Sequence, residues 1–346
     1  MTPHIAIETR NFILKPSSIW MIASIFLALT LSIVTVIVFP QKNLLSSFLI
    51  VIFSSLWLTI TFSFSNLIII SRVEKFFIRN KIEFSIIVHS LMFITYFLIS
   101  LIGNTLTIST FGIFFLFYII PVALLLFSQY LTIENSFRTM LIIFGVLILW
   151  IGMDHRYTMD LFDGYDDLSY HLTTLWLVQI LFVTYTPFNI KSFNQVNSKP
   201  TLSGIKYTLL LIPILFAILI PTGFKTGFIF WSPDFETSPL LKFATFLVIY
   251  LTIALPEEFI FRGIILHEFD KKIPEGSPNR ILSLILVSFL FGLTHWNNIS
   301  LALAPYYFLF ATIAGLAYGY VWRKSGLFAA ALLHTSVDWI WAFYFQ

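Results

Sequence analysis

Apolar runs of about 20 residues recur along the whole chain, separated by short polar stretches. Each run is long enough to cross a ~30 Å hydrocarbon core as a helix. The runs fall at 19–39, 45–70, 84–102, 110–131, 139–153, 172–187 and 207–221, followed by 240–269, 281–296, 303–322 and 327–345. None alternates apolar and polar positions with the period of two that a membrane β-barrel needs. The pattern therefore predicts an all-α polytopic membrane protein of about 11 transmembrane helices. The first run is too long for a cleaved leader and lacks a small-x-small exit, so it reads as an uncleaved first span. The boundaries divide the chain into a polar N-terminal segment (1–18), a transmembrane region of about seven spans (19–222) whose role the pattern does not reveal, and a four-span region (240–346).

The polar stretches carry an orientation. Lys and Arg concentrate in 72–81, at Arg138, and in 191–206, 271–280 and 323–324, whereas 154–167 is acidic. With the N-terminus in the cytoplasm, every basic loop falls inside and the acidic one outside, as the positive-inside rule requires.

Composition agrees. Hydrophobic residues make up 58% and charged residues 11% of the chain, at a mean hydropathy of +0.90; a soluble domain is about 25% charged. The net charge of +3 resides in short loops, so it speaks to topology and gives no footing for nucleic acid. Cysteine is absent, which excludes disulfides, thiolate catalysis and Cys-ligated metal. The 40 phenylalanines read as apolar filling among lipid-facing helices.

Three polar clusters interrupt the last four spans. The first is Pro256-Glu257-Glu258-Phe259-Ile260-Phe261-Arg262, sunk in an apolar run. An ionisable side chain at the centre of a span costs about 2.5–3.5 kcal/mol or more, and such residues mark functional sites by default. Glu258 and Arg262 are spaced i,i+4 and share a helix face; Glu257 points about 100° away. One carboxylate can thus be neutralised locally while its neighbour is aimed elsewhere. The second cluster is Phe291-Gly292-Leu293-Thr294-His295, with Phe291 and His295 on one face. The third is His334-Thr335-Ser336-Val337-Asp338, with His334 and Asp338 on one face. Ser336 points away from His334, which disfavours a Ser–His dyad. Polar groups on three of the last four spans are placed to converge on one cavity within the bilayer.

The ordered set Glu-Glu-x-x-x-Arg, Phe-x-x-x-His, His-x-x-x-Asp/Asn resembles the CAAX-protease and bacteriocin-processing family (CPBP, also called Abi), glutamic-type intramembrane endopeptidases. The resemblance covers about the last third of the chain. It implies a protease domain with its catalytic bundle in the last four spans, in which Glu257 and His295 activate a water while His334 and Asp338 stabilise the oxyanion. Glu258, Arg262 and Phe291 would support them. It implies no cofactor, a peptide or membrane-protein substrate, the lipid bilayer as surroundings, and the plasma membrane of a prokaryote as location. Asp338 stands where the best-known members carry Asn. An ionised Asp only accepts hydrogen bonds, so the expected role of Asp338 is to fix and charge His334 so that the imidazole donates.

Two alternatives have distinct signatures. A zinc ion held by Glu257, His295 and His334 would activate the water instead; a catalytically silent scaffold, immunity or regulatory protein would keep the fold without the reaction. Elsewhere, the acidic stretch with His155 and His171 reads as a solvated outer loop. His89 has no partner visible in the sequence and reads as a packed polar residue. His267, Glu268 and Asp270 read as interfacial groups at the cytoplasmic end of their helix.

Overall fold

The computed structural model describes residues 106–131, 136–154 and 202–345, with single helical positions between 83 and 101 and between 174 and 185. The chain divides into two units, Met1–Asn80 and Lys81–Gln346, and every described residue belongs to the second. The spans expected at 19–39 and 45–70, and the solvated loop expected around His155 and His171, lie outside the described residues.

Helix is the regular structure throughout the described residues; β pairing among them is limited to one isolated bridge, Trp231 to Phe345. Helix α1 runs from Ile108–Phe114 through a π-helical turn, Phe115–Ile119, into Ile120–Tyr130. Helix α2 is Ser136–Asp154 and α3 is Leu202–Thr226. Helix α4 spans Pro239–Asp270 without a break, with π-helical turns at Tyr250–Ala254 and Phe259–Leu266. Helices α5 (Asn279–Leu293), α6 (Ala304–Ser325) and α7 (Leu327–Tyr344) complete the chain. Four of the described helices are long and apolar enough to cross a membrane: the 111–129 part of α1, then α3, α4 and α7. Helix α3 is longer than the run at 207–221 predicts, because Pro213 and Pro221 both lie inside it.

Local sequence explains the ends. Ser238 caps α4, its side chain accepting from the Leu241 N–H at 3.3 Å, with Pro239 in the first helical position where its missing N–H costs nothing. Proline inside a helix removes a donor and crowds the carbonyl four residues back. Pro256 in α4 and Pro121 in α1 each lie two residues past the end of a π-helical turn, and the wider turn accommodates the mismatch. Helix α5 ends at Leu293, short of the span expected to reach Trp296. Thr294 there turns its hydroxyl onto the Phe291 carbonyl, donating at 2.7 Å, and the chain passes into turns. Gly326 alone joins α6 to α7, at φ 82°, a conformation that only glycine adopts without strain.

Helix α6 occupies the middle, packed on α3, α5, α7 and the second π-helical turn of α4. Its approach to α5 depends on glycine. A Cβ at Gly292 would stand 2.6 Å from the Phe308 carbonyl oxygen, and Gly319 would meet Leu284. Helix α3, which the sequence divides from the four-span region, packs on α6 and α7, with the Thr208 hydroxyl donating to the Ala329 carbonyl at 3.2 Å.

Between α3 and α4 a non-helical strap crosses the C-terminal end of α7. Ser232 N–H donates to the Tyr344 carbonyl at 3.0 Å and Asp234 N–H to the Phe343 carbonyl at 2.8 Å. Asp234 accepts from the N–H groups of Glu236 and Thr237, each at 2.9 Å. Hydrogen bonding from Thr237, chiefly its side chain, holds this carboxyl below its ordinary pKa. Lys242 donates to the Asp234 carbonyl, and Trp339 Nε1 donates to the Lys242 carbonyl at 2.8 Å, stitching strap, α4 and α7 together.

One expectation changes here. His267, Glu268 and Asp270 are buried rather than interfacial. Glu268 accepts from Tyr185 Oη at 2.6 Å and pairs with Lys271 at 2.8 Å; Asp270 takes both prongs of Arg323 at 2.8 Å and the Ser283 hydroxyl at 2.8 Å. A buried carboxylate persists only with such partners; apart from Lys271, three residues from Glu268, they come from other segments, Tyr185 and Arg323 lying far off in sequence where no local pattern reveals them. His89 likewise has partners: Tyr118 Oη lies 2.9 Å from its Nδ1 and Thr184 Oγ1 2.9 Å from its Nε2. Its burial agrees with a packed polar residue.

Candidate active site

Glu257 and Glu258 sit in the short α-helical stretch Leu255–Glu258 between the two π-helical turns of α4. Glu258, Arg262 and the Glu257 side chain are buried. Arg262 donates Nη1 to Glu258 Oε1 at 2.9 Å and Nη2 to the Gly315 carbonyl of α6 at 2.9 Å. The i,i+4 pairing expected from the sequence is present, although Phe259 onward is π-helical. Gly315 permits it: a Cβ there would stand 3.1 Å from Arg262 Nη2. The guanidinium is sandwiched further, its Cζ lying 4.6 Å from the Phe291 ring centre and 5.5 Å from that of Tyr318. Cations are attracted to such ring faces, the more so when water is excluded.

His334, on α7, is the hub. Its Nδ1 lies 3.0 Å from Glu258 Oε1, and its Nε2 lies 3.3 Å from Asp338 Oδ2 and 3.8 Å from Glu257 Oε2. Glu258 therefore bridges Arg262 and His334, while Glu257 and Asp338 both approach the opposite edge of the imidazole. The two glutamates are divided as helix phase suggests, one tied down between Arg262 and His334 and the other at the far edge. With Glu258 accepting from Nδ1–H, a hydrogen bond between Nε2 and Asp338 needs a proton on one of the two. Asp338 is the part of this group nearest water, its side chain 34% exposed against 3% for His334. The Ser336 hydroxyl donates to the Leu332 carbonyl at 2.8 Å and so is turned away from the group.

His295 joins from the end of α5, one residue beyond Thr294. Its Nδ1 lies 2.9 Å from the Phe291 carbonyl, which leaves Nε2 as the nitrogen able to act on another molecule. Phe291 links it to the hub: the ring stands 4.7 Å from the His295 imidazole and 5.6 Å from that of His334. Tyr307 closes the other side of His295 at 5.1 Å. The structure thus brings Glu257, Glu258, Arg262, His334 and Asp338 into one cluster, with His295 connected to it through Phe291. Among the described residues no three His, Asp or Glu side chains are grouped so as to hold a metal ion.

Two contributors come from α6, which carries none of the three motifs. Gly315 supplies the carbonyl that holds Arg262, and Tyr318 stacks on His334 with ring centres 4.6 Å apart and planes 17° apart. A span rich in Ala, Gly and Tyr, with its charges confined to Arg323 and Lys324 in the last turn, reads as packing; its one legible signal is the i,i+3 spacing of Gly315 and Tyr318, a close approach and an aromatic on one face.

No curated protein and no solved structure matches the chain. The family model described as Type II CAAX prenyl endopeptidase Rce1-like does, over residues 239–340. That interval begins with α4 and takes in all three polar clusters, so the similarity to the CAAX proteases of the CPBP family lies in the C-terminal third of the chain.

Proposed function

We propose that the protein is a glutamic-type intramembrane endopeptidase that hydrolyses a peptide bond in a peptide or membrane protein. The observation that carries the reading is the division of the carboxylates around His334. Glu258 is committed to Arg262 and His334 Nδ1, whereas Glu257 and Asp338 approach Nε2 from the exposed side. In a site so divided Glu257 is placed to take a proton while the Nε2 edge of the imidazole is placed to donate.

Glu257, assisted by His295, accepts a proton from water as its oxygen attacks the scissile carbonyl carbon. The carbonyl π electrons move onto oxygen, and His334, kept charged and oriented by Glu258 and Asp338, donates Nε2–H to that oxyanion. Collapse breaks the C–N bond, and the proton held by Glu257 passes to the leaving amine. Neither a serine nor a thiol is required. Aromatic and aliphatic walls exclude bulk water and strengthen each of these interactions.

The test compares membrane peptides and protein termini in cells carrying the wild type, Glu257→Ala or His295→Ala, alongside cleavage of a quenched-fluorescent farnesylated CAAX peptide by the purified proteins. Both variants are expected to insert and accumulate normally while cleavage is lost. Normal processing by Glu257→Ala would sink the proposal and favour a scaffold that keeps the fold. Stoichiometric zinc with chelator-sensitive cleavage would move the reaction to the metal-dependent alternative.

A further inference from the structure

We propose that Tyr318 is a positioning residue for the reaction: its ring sets the plane of the His334 imidazole. The inference rests on the reading of His334 as an oxyanion donor. An imidazole held only by hydrogen bonds at its two nitrogens can turn about its last side-chain bond whenever those bonds open, and half a turn would replace both nitrogens by carbons. His334 has Glu258 on one nitrogen and the partly exposed Asp338 on the other, so its outer contact faces the side from which a substrate or water would disturb it. What resists the turn is a wall against the ring face. Tyr318 supplies it, lying 4.6 Å away at 17°, while Phe291 stands edge-on at 5.6 Å and 89°. Offset-parallel and T-shaped contacts are the two preferred arrangements of such rings, and here they fix both plane and tilt.

Tyr318 is itself immobilised. It is buried, with the Arg262 guanidinium 5.5 Å from its ring centre and Phe291 packed at 6.2 Å. Three residues earlier on α6, the Gly315 carbonyl holds the same guanidinium at 2.9 Å. One face of α6 thus clamps Arg262 and His334 together, and Glu258 closes the loop between them. The stack uses the ring and not the hydroxyl, which determines the choice of variants.

The experiment uses the full-length chain in lipid nanodiscs with ¹⁵N-labelled histidine, the His334 signals being identified by their loss in His334→Gln. Wild type, Tyr318→Phe and Tyr318→Trp are expected to give one sharp set of His334 ring-nitrogen signals. Tyr318→Leu and Tyr318→Met are expected to broaden or split that set while leaving the His295 signals in place. On the farnesylated CAAX peptide, kcat of Tyr318→Leu should fall by about 10- to 100-fold, the scale of a misplaced catalytic group, with KM little changed and recovery in Tyr318→Phe. A Tyr318→Leu or Tyr318→Met protein that folds and keeps the wild-type His334 signals overturns the proposal and leaves Tyr318 as core filling. If wild type fails to cut the peptide, the protease reading is what suffers, and the nitrogen signals still decide the positioning role.

Discussion

At the scale of single residues, Asp338 separates two ways of stabilising an oxyanion. Its 3.3 Å approach to His334 Nε2 suits a carboxylate that keeps a proton on the imidazole, whereas an amide could donate to the oxyanion itself. Asp338→Asn preserves shape and acceptor but removes the charge. On the first account kcat falls on the order of tenfold, and Asp338→Ala costs about 10²–10³-fold, the range for a lost oxyanion contact. Single-turnover rates on the farnesylated peptide measure both. A gain of activity in Asp338→Asn would show that direct amide donation is the better route in this site.

At the scale of elements, the meeting of α5 and α6 carries His295 to the cluster. Gly292 lies one turn before His295, and a methyl group there collides with the Phe308 carbonyl oxygen, a backbone atom that cannot swing aside. Gly292→Ala should destabilise the fold by about 1–3 kcal/mol, as overpacking does, seen as a lowered midpoint of thermal unfolding in detergent. It should also lower cleavage by more than the folded fraction explains, because α5 must back away with His295 at its end. Unchanged activity in the folded variant would mean that the position of His295 does not depend on this contact.

These elements also mark what the sequence makes legible. Periodicity and the depth of the charges locate α4, α6 and α7 to within a few residues, because burying charge in an apolar run is costly enough to stand out. Glu258–Arg262 and His334–Asp338 are equally readable, being local i,i+4 pairs. The bond from His334 to Glu258, the Tyr318 stack and the Gly315 carbonyl are not, since each depends on how α4, α6 and α7 pack. Glu268 and Asp270 escape notice for the same reason: their partners lie as far away in sequence as Tyr185 and Arg323.

For the whole molecule, the positive-inside rule predicts that the strap of 227–238 and the loop of 271–278 lie on opposite sides of the membrane, with α4 crossing between them. The native chain has no cysteine, so single-cysteine variants give a background-free readout. Glu236 and Lys272 are both exposed. In intact cells a membrane-impermeant maleimide should label Glu236→Cys, and Lys272→Cys only after permeabilisation. The reverse pattern would invert the orientation, and labelling of both from outside would deny that α4 crosses.

The π-helical turns of α4 bear on how this chain tolerates change in length. A π-helical turn accommodates an extra residue in a helix, and one residue of an α-helix amounts to about 100° of rotation. The turn Phe259–Leu266 separates the glutamate pair from Glu268 and Asp270, both of which are bonded to other helices. Were the segment to straighten into an α-helix with every residue kept, the two ends of α4 would fall out of phase, and either the glutamates or the buried anchors would lose their partners. Deleting one codon within Phe259–Leu266 removes the extra residue as the turn reverts, so it is the length change that keeps both ends in phase. The π-helical form of this segment is thus as much a part of the site as the residues at its ends.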